Sequence, residues 1–244
     1  MKIVTAAVIK GGTGKTTTAA ALAQAGAAAG KRVLAVDLDP QANYTLFLGA
    51  DQNKRGCYDL LHGAAPAEVI QHTEQGIDCI AGAPDLATEK PGQSSARRLS
   101  EALKPLNRKY DLIMIDTPPQ MGELTFNALF ASTNLIIPLE TDQSSLQGLY
   151  QIVDIANQIK RNNPSLTVSG IVLTRYDARA NLNRYLQGVI AEKGNEIGAP
   201  FLIGIRPGIA IREAQAMQKS LYEYAPNSNP AQDYRTLYQM IMEG

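Results

Sequence analysis

A glycine-rich loop near the N-terminus carries the residues best suited to hold a chain of phosphates. Residues 10–17 read Lys-Gly-Gly-Thr-Gly-Lys-Thr-Thr and follow an apolar run, so they are expected to join a buried strand to a helix. In such a loop, backbone N–H groups and the helix N-terminus point at phosphate oxygens. Lys15 is expected to reach the β- and γ-phosphates, and the Thr16 hydroxyl to ligate Mg²⁺. The predicted nucleotide contacts here are Gly11, Gly12, Thr13, Gly14, Lys15, Thr16 and Thr17, with Lys10 close to them at the loop entrance.

Two further segments end in carboxylates that a parallel sheet would place beside this loop. Residues 33–41 read Val-Leu-Ala-Val-Asp-Leu-Asp-Pro-Gln, and residues 111–116 read Asp-Leu-Ile-Met-Ile-Asp. Ligand sites of parallel sheets lie at the carboxyl ends of the strands, so Asp37, Asp39 and Asp116 are expected near the phosphates. Asp116 is expected to stabilise hydrated Mg²⁺, and Asp37 to support the water shell of that ion. The alternative for Asp39 is a plain Asp-Pro turn.

Short apolar runs alternate with helix-length amphipathic segments, a rhythm typical of βαβ units. The runs predict strands at Lys2–Ile9, Arg32–Asp37, Ile77–Ala81, Asp111–Asp116, Leu135–Leu139, Val168–Thr174 and Phe201–Ile205. Helices are predicted at Lys15–Ala29, Ser95–Asn107, Glu123–Ala131, Ser144–Lys160, Ala180–Lys193, Ile209–Ser220 and Pro230–Met242. We therefore expect a doubly wound α/β fold, with a mostly parallel sheet of about seven strands flanked by helices. The stretch 49–76 is expected to be an excursion of short helices within a single domain, residues 1–244.

Composition limits the classes of function. The 244 residues are 45% hydrophobic and 19% charged, which fits a soluble globular protein rather than a disordered or fibrous one. The formal net charge is zero, so DNA or an anionic membrane could be attracted only by a local patch. Two cysteines and two histidines do not predict a disulfide framework or a transition-metal cluster. No signal peptide opens the chain and no apolar run approaches the roughly 20 residues that span a bilayer, which favours the cytoplasm.

The loop departs from the common pattern G-x-x-x-x-G-K-[ST], because Ile9 stands at the first glycine position and Lys10 at the loop entrance. Two lysines around one phosphate loop resemble the ParA/MinD group of P-loop ATPases. The resemblance implies that Lys10 crosses a nucleotide-sandwich dimer to touch the other protomer's phosphates. It also implies that Asp39 positions or polarises the attacking water. The expected catalytic residues are thus Lys10, Lys15 and Asp39.

This resemblance covers nearly the whole chain. Three further stretches look like ParA segments in the same order, namely 138–148 (PLETDQSSLQG), 170–177 (GIVLTRYD) and 213–234 (EAQAMQKSLYEYAPNSNPAQDY). Residues 117–129 resemble the switch region that senses the γ-phosphate, and Pro118 is expected among the nucleotide contacts. The residues that fall where the family's adenine pocket forms are Thr174, Arg175, Arg206 and Pro207. The usual family order is Pro-Arg, so the backbone group that meets the base stays open here.

Other branches of the group fit less well. A membrane-cycling MinD protein would end in an amphipathic helix with a basic polar face, whereas residues 230–242 carry one arginine. A relative of the nitrogenase iron protein needs paired cysteine ligands, which Cys57 and Cys79 do not match. Because the first predicted strand begins at Lys2, no helix-turn-helix is expected before the ATPase, and operator-specific autoregulation is not expected.

The resemblance also implies sequence-independent DNA binding. The candidate contacts are Arg175, Arg179, Arg184, Arg206, Arg212 and Lys219. The expected function is ATP-dependent segregation of plasmid or chromosomal DNA by an ATPase that uses ATP and Mg²⁺. It is expected to form a homodimer on ATP, to act in the cytoplasm on the nucleoid without membrane binding, and to respond to a ParB-like adaptor. The alternative is an ATP-dependent positioning switch for a protein cargo without direct DNA binding.

Overall fold

One sheet runs through the residues that the computed structural model describes, which are 1–89, 96–142 and 144–243. Its strands are β1 (Lys2–Ala6), β2 (Val33–Asp37), β3 (Ile70–His72), β4 (Asp78–Ile80), β5 (Leu112–Asp116), β6 (Asn134–Leu139), β7 (Thr167–Leu173) and β8 (Phe201–Gly204). They lie in the order β3-β4-β2-β5-β1-β6-β7-β8, and every neighbouring pair is parallel except β3 with β4. The predicted mostly parallel α/β fold is confirmed.

One of the eight strands, β3, is not predicted from the sequence. Its three residues, Ile70-Gln71-His72, are too short to show an alternating pattern, and they pair antiparallel with β4. The same stretch, 49–76, does contain the expected short helices α3 (Cys57–Leu61) and α4 (Pro66–Val69). The stretch 49–76 therefore contributes β3 as an edge strand of the sheet, next to β4.

Helices cover both faces of the sheet. Besides α3 and α4 they are α1 (Lys15–Ala28), α2 (Asn43–Leu48), α5 (Arg98–Leu103), α6 (Glu123–Ala131), α7 (Ser145–Lys160), α8 (Asn181–Glu196), α9 (Ile209–Ala216), α10 (Leu221–Tyr224) and α11 (Asn229–Glu243). Within the described ranges, no helix has both the length and the apolar character needed to cross a bilayer.

Several predicted boundaries shift for local reasons. β1 ends at Ala6 rather than Ile9, because the chain leaves the sheet there to enter the glycine-rich loop. The predicted helix 95–107 would begin at Ser95, which lies outside the described residues. The observed helix α5 begins at Arg98 and ends at Leu103. Pro105 lacks an N–H group and lies in the 3₁₀ turn that follows.

The register of the central strands determines which side chains meet. β1 lies between β5 and β6, where the strand order reverses, and this is where open α/β sheets bind ligands. Ala6, the last residue of β1, pairs with Asp116, and Asp116 pairs on its other side with Asp37. Helix α1 packs against this part of the sheet through buried side chains such as Leu22. The loop between β1 and α1 therefore opens next to both carboxylates.

Candidate nucleotide site

The glycine-rich loop has a backbone that only glycine adopts without strain at its turning points. Gly12 and Gly14 have φ angles of +77° and +85°, in the left-handed region. A Cβ atom at Gly14 would also lie 3.0 Å from Thr174 Cγ2. The Thr174 hydroxyl in turn donates a 2.9 Å hydrogen bond to the Thr13 carbonyl oxygen. The loop is thus held against the end of β7, and its N–H groups precede the first turn of α1.

Lys15 lies over the loop with its ammonium group largely buried. Its Nζ donates to the Lys10 carbonyl oxygen at 2.8 Å. Burial lowers the pKa of Lys15, and the negative charges of Asp116 and Asp39 oppose that shift. A phosphate chain in the loop would give this ammonium group an additional anionic partner.

Asp116 is the least satisfied carboxylate of the site. It is completely buried, and neither of its oxygens has a hydrogen-bond partner within the described residues. Burial, reinforced by the charge of neighbouring Asp37, raises the pKa of Asp116 well above its usual range. The side chain of nearby Thr16 and the positive charge of Lys15 lower this pKa, but their effect is smaller. Buried polar groups are normally paired, so an unpaired carboxylate fits a cation or its bound water. Asp116 and the Thr16 hydroxyl have the hard oxygen donors that Mg²⁺ prefers.

The Asp37 carboxylate accepts hydrogen bonds from the segment that follows β2. Its Oδ2 accepts hydrogen bonds from the Thr45 backbone N–H at 2.9 Å and the Thr45 hydroxyl at 2.8 Å. Its Oδ1 accepts a bond from the Asp39 N–H at 3.0 Å. Burial raises the pKa of Asp37 to about 6, against the opposing effect of these bonds. Asp37 therefore anchors the loop that carries Asp39, and its bonded oxygens do not line the phosphate cavity.

Asp39 lines a cavity of about 350 Å³ around the loop. One of its oxygens, Oδ1, accepts a 2.9 Å bond from the Gln41 N–H, which is the turn that the Asp-Pro alternative predicts. Asp39 thus forms this turn and also faces the cavity. Pro119 rather than the predicted Pro118 contributes to the wall. The lining residues are 11–17 of the loop, Asp39, Gln41, Asn43, Phe47, Pro119 and Arg175.

A larger cleft of about 790 Å³ adjoins the first one, and the two share Gly14, Thr17 and Arg175. This size is in the range of small-molecule and cofactor sites. All four residues predicted for the adenine pocket line the cleft. Its walls are Gly14, Thr17, Thr174, Arg175, Ile205, Arg206, Pro207, Gly208, Ile209, Ile211, Arg212, Gln215 and Tyr234.

The Arg206 guanidinium group is already engaged. Its Nε lies 2.9 Å from Asp233 Oδ2 and its Nη2 lies 2.7 Å from Asp233 Oδ1. The backbone N–H of Arg206 also donates to Asp233 Oδ2. This bidentate pair fixes the start of the Arg206-Pro207 turn against α11. No pattern in the sequence pointed to Asp233 as the partner.

Comparisons with known proteins agree with this geometry. The family described as AAA domain matches residues 1–168. The chromosome-partitioning ATPase Soj of Thermus thermophilus is 37% identical over 238 residues, which is 96% of this chain and 92% of Soj. The sporulation initiation inhibitor protein Soj of Bacillus subtilis is 35% identical over 249 residues, 98% of each chain.

The chain belongs to the ParA/Soj family of partition ATPases. Two solved structures share its fold. Cobyrinic acid a,c-diamide synthase from Mycobacterium smegmatis, with bound ADP and magnesium, has a TM-score of 0.86 and 28% identity over 100% of this chain and 94% of its own. MinD from Pyrococcus horikoshii, complexed with Mg-ADP, has a TM-score of 0.78 and 27% identity over 98% of this chain and 95% of its own. The predictions of a ParA-type ATPase that uses ATP and Mg²⁺ are confirmed at the level of this family.

Lys10, the entrance lysine of this ParA/Soj chain, is held within its own protomer. Its Nζ lies 2.5 Å from Asp142 Oδ2 and 2.7 Å from the Ser144 hydroxyl. Asp142 is partly buried, which alone would raise its pKa, yet the bonds from Lys10 and Ser144 lower that pKa to about 2. The sequence did not single out these partners, although both lie in a stretch that resembles ParA. Any contact of Lys10 with a second protomer requires these bonds to break.

Five of the six side chains predicted to bind DNA are hydrogen-bonded or ion-paired within the chain. Arg179 forms a bidentate pair with Asp177, and Arg184 donates to the Ala178 carbonyl and the Asn181 side chain. Arg212, another of the candidate DNA contacts, lines the larger cleft. The other candidates pair in the same way: Arg175 with Glu140, Arg206 with Asp233 and Lys219 with Glu223.

Proposed function

We propose that this ParA/Soj chain is an ATP-dependent DNA segregation ATPase, acting as a single domain over residues 1–244. The observation that carries the proposal is the pair of cavities joined at the glycine-rich loop, beside a buried carboxylate that has no hydrogen-bond partner in the described part of the chain. A triphosphate needs a cationic cradle and a metal, whereas a base needs a partly apolar cleft. Both surroundings are present and contiguous.

The loop residues bind and orient the phosphates through their N–H groups and Lys15. Thr16 and Asp116 would hold Mg²⁺, which neutralises phosphate charge when it is bound. Asp39 orients a water at the cavity that it lines, and Asp37 holds Asp39 in place through the bonds described above. Catalysis of this kind rests on positioning and on electrostatic stabilisation.

In this scheme Lys10 links formation of the homodimer to ATP binding. In the single chain its ammonium group is satisfied by Asp142 and Ser144. A second protomer that brings its own phosphates to the loop entrance offers a stronger anionic partner. Dimerisation is therefore linked to ATP. The dimer would bind DNA non-specifically in the cytoplasm on the nucleoid, and a ParB-like adaptor would stimulate hydrolysis.

Nucleotide binding is tested with Lys15→Gln, and Lys31→Gln serves as the control because Lys31 is an exposed lysine beyond the end of α1. Lys15→Gln should weaken ATP binding by at least about a hundredfold, since a neutral amide cannot replace the charge-assisted hydrogen bonds of the ammonium group. Isothermal titration with ATP and Mg²⁺ measures the effect. ATP affinity within about threefold of the wild type would refute the phosphate-loop assignment.

DNA binding is tested with the double variant Arg179→Ala and Arg184→Ala, which leaves the nucleotide cleft untouched. The control is Lys160→Ala with Arg161→Ala, which removes the same charge at the exposed C-terminal end of α7. With ATP, binding of random duplex should weaken only in the first variant. The slope of log affinity against log salt should fall by roughly one unit for each DNA phosphate that the protein no longer neutralises.

Each result has a distinct consequence. Equal affinity and slope in both variants would show that these arginines are the wrong surface. A wild-type protein that binds ATP but never binds DNA would favour the protein-cargo switch.

A further inference from the structure

Three glutamines connect the elements that line the two cavities. Gln75, in the turn between β3 and β4, donates through Nε2 to the carbonyl oxygens of Phe47 at 2.8 Å and Gln218 at 2.9 Å. Its Oε1 accepts a 2.8 Å hydrogen bond from Gln24 Nε2. One side-chain amide therefore joins α2, the segment after α9, and α1.

The surroundings of Gln75 hold it in place. The Thr73 N–H and hydroxyl both donate to the Ile77 carbonyl oxygen, at 3.1 and 2.8 Å, and the Gly76 N–H donates to Thr73. On the other side, buried Gln24 accepts a 3.1 Å bond from the Leu221 N–H. The amide is thus fixed from both ends, as a positioning group requires.

Gln218 has a backbone conformation that usually calls for glycine. Its φ is +52°, and it follows α9 at the position where helices commonly end in the left-handed conformation. The Lys219 N–H closes this turn on the Ala214 carbonyl oxygen at 2.9 Å. The Gln218 side chain donates to the Leu46 carbonyl oxygen at 3.1 Å. Gln218 thus has a strained backbone, and its side chain is hydrogen-bonded to α2. Backbone strain of this kind is concentrated at functional segments of proteins.

The two helices that Gln75 connects, α2 and α9, line different cavities of the site. Helix α2 follows the Asp39 turn, and its Asn43 and Phe47 line the phosphate cavity. Helix α9 lines the base cleft, through residues such as Ile211 and Gln215. Gln24 lies nine residues beyond Lys15 on α1, roughly 13 Å along the helix axis. The three glutamines themselves line neither of the two cavities.

We propose that Gln75 is a positioning residue of the ATPase site, which ties the C-terminal ends of α2 and α9 together. A base held in the cleft fixes α9, and through Gln75 it fixes α2 and the Asp39 turn. This inference rests on the proposed function, because it assigns Asp39 the attacking water.

The test uses Gln75→Glu, which keeps the size of the side chain and its acceptor for Gln24. It replaces the amide donor with a carboxylate that faces two carbonyl oxygens. The chain offers a matched control, because Gln71 bonds the backbone N–H and carbonyl of Asp51 in the same way, at 3.0 and 2.9 Å. Asp51 lines neither nucleotide cavity, so Gln71→Glu should leave the site unchanged.

Steady-state ATPase assays should show a kcat at least about tenfold lower for Gln75→Glu, because the variant loses both hydrogen bonds that the Gln75 amide donates. The KM for ATP should stay within about twofold, because the phosphate loop is intact. Gln218→Gly relieves the backbone strain but removes the bond to Leu46, and it should lower kcat less. Equal kcat for Gln75→Glu and Gln71→Glu would overturn the inference.

Hydrogen exchange gives a readout that does not need turnover. ATP should protect amides 11–17 in both glutamate variants, but it should protect amides 42–49 only in the wild type and Gln71→Glu. Protection of 42–49 in Gln75→Glu equal to the wild type would refute the coupling and leave the proposed function standing. No protection of 11–17 in the wild type would refute the proposed function and this inference with it.

Discussion

Replacing Asp116 with Asn should make the nucleotide-free protein more stable. The carboxyl group is fully buried, has no hydrogen-bond partner among the described residues, and lies beside Asp37. Asparagine keeps the size of the side chain but removes the charge. Leaving a buried polar group unsatisfied costs about 1–3 kcal/mol, and more when the group is ionised. We expect a gain of about 2 kcal/mol near neutral pH, which raises Tm by roughly 5 °C in a chain of this size.

The pH dependence follows from the raised pKa of Asp116. A carboxyl group whose pKa is higher in the folded than in the unfolded state favours folding while it is protonated. That contribution is complete below about pH 4, the pKa of an unfolded aspartate, and is lost as the pH rises toward the folded pKa. The advantage of Asp116→Asn should therefore be small near pH 4 and should grow as the pH rises.

Asp111, the residue just before the same strand, gives a control of opposite sign. Its bonds from Arg32 hold the pKa of Asp111 well below the usual range. A lowered pKa stabilises the fold above about pH 4, and this contribution disappears as the pH falls through the folded pKa. Asp111→Asn should therefore lower Tm at pH 7 and have little effect at very low pH.

The assay is thermal unfolding of both variants from about pH 2 to pH 8, with ATP and Mg²⁺ added in a second series at neutral pH. Ligand binding raises Tm in proportion to the free energy of binding, so the Mg²⁺-dependent part of the shift should be lost in Asp116→Asn. The reasoning is refuted if Asp116→Asn is less stable than the wild type at pH 8. It is also refuted if the variant keeps the full Mg²⁺-dependent shift.

Two other predictions concern binding and dimerisation. Asp39→Ala should bind ATP and accumulate as dimer, because the carboxylate is assigned to water. Lys10→Ala should bind ATP but stay monomeric, and light scattering with ATP and Mg²⁺ would show the reverse pattern if the roles were exchanged. Gly14→Ala should weaken ATP binding by at least about tenfold, because the new Cβ would sit 3.0 Å from Thr174 in a left-handed backbone. Gly188→Ala in α8, where a Cβ would meet nothing within 4 Å and which lines neither cavity, is its control in the same titration.

The sequence predicted the parts of the site that depend on local pattern. The loop 10–17 was identifiable because glycine spacing and a following helix are properties of neighbouring residues. The acids at the ends of β2 and β5 were identifiable because parallel strands end at one edge of the sheet. Their pairing, Asp37 beside Asp116, follows from strand order, which short apolar runs do not encode.

Contacts between distant residues were not predictable in this way. The Asp142 partner of Lys10 is 132 positions away, and the Asp233 partner of Arg206 lies in another helix. Polar surface residues of this type are common, and their pairing depends on tertiary packing. The strand β3 was missed for a related reason, because three residues form a strand only when a neighbour such as β4 is present.

Asp37 and Asp116 hold equivalent positions in the sequence pattern but have different environments in the fold. Both end a central strand and both are completely buried. Asp37 is followed by a turn that returns Thr45 to its carboxylate, so donors on its own chain segment satisfy it. Asp116 is followed by Thr117, whose hydroxyl donates instead to the Ala6 carbonyl oxygen at 2.9 Å. Donors of the chain thus satisfy Asp37, whereas Asp116 has no hydrogen-bond partner among the described residues, and this asymmetry supports the proposal that Asp116 rather than Asp37 faces the metal.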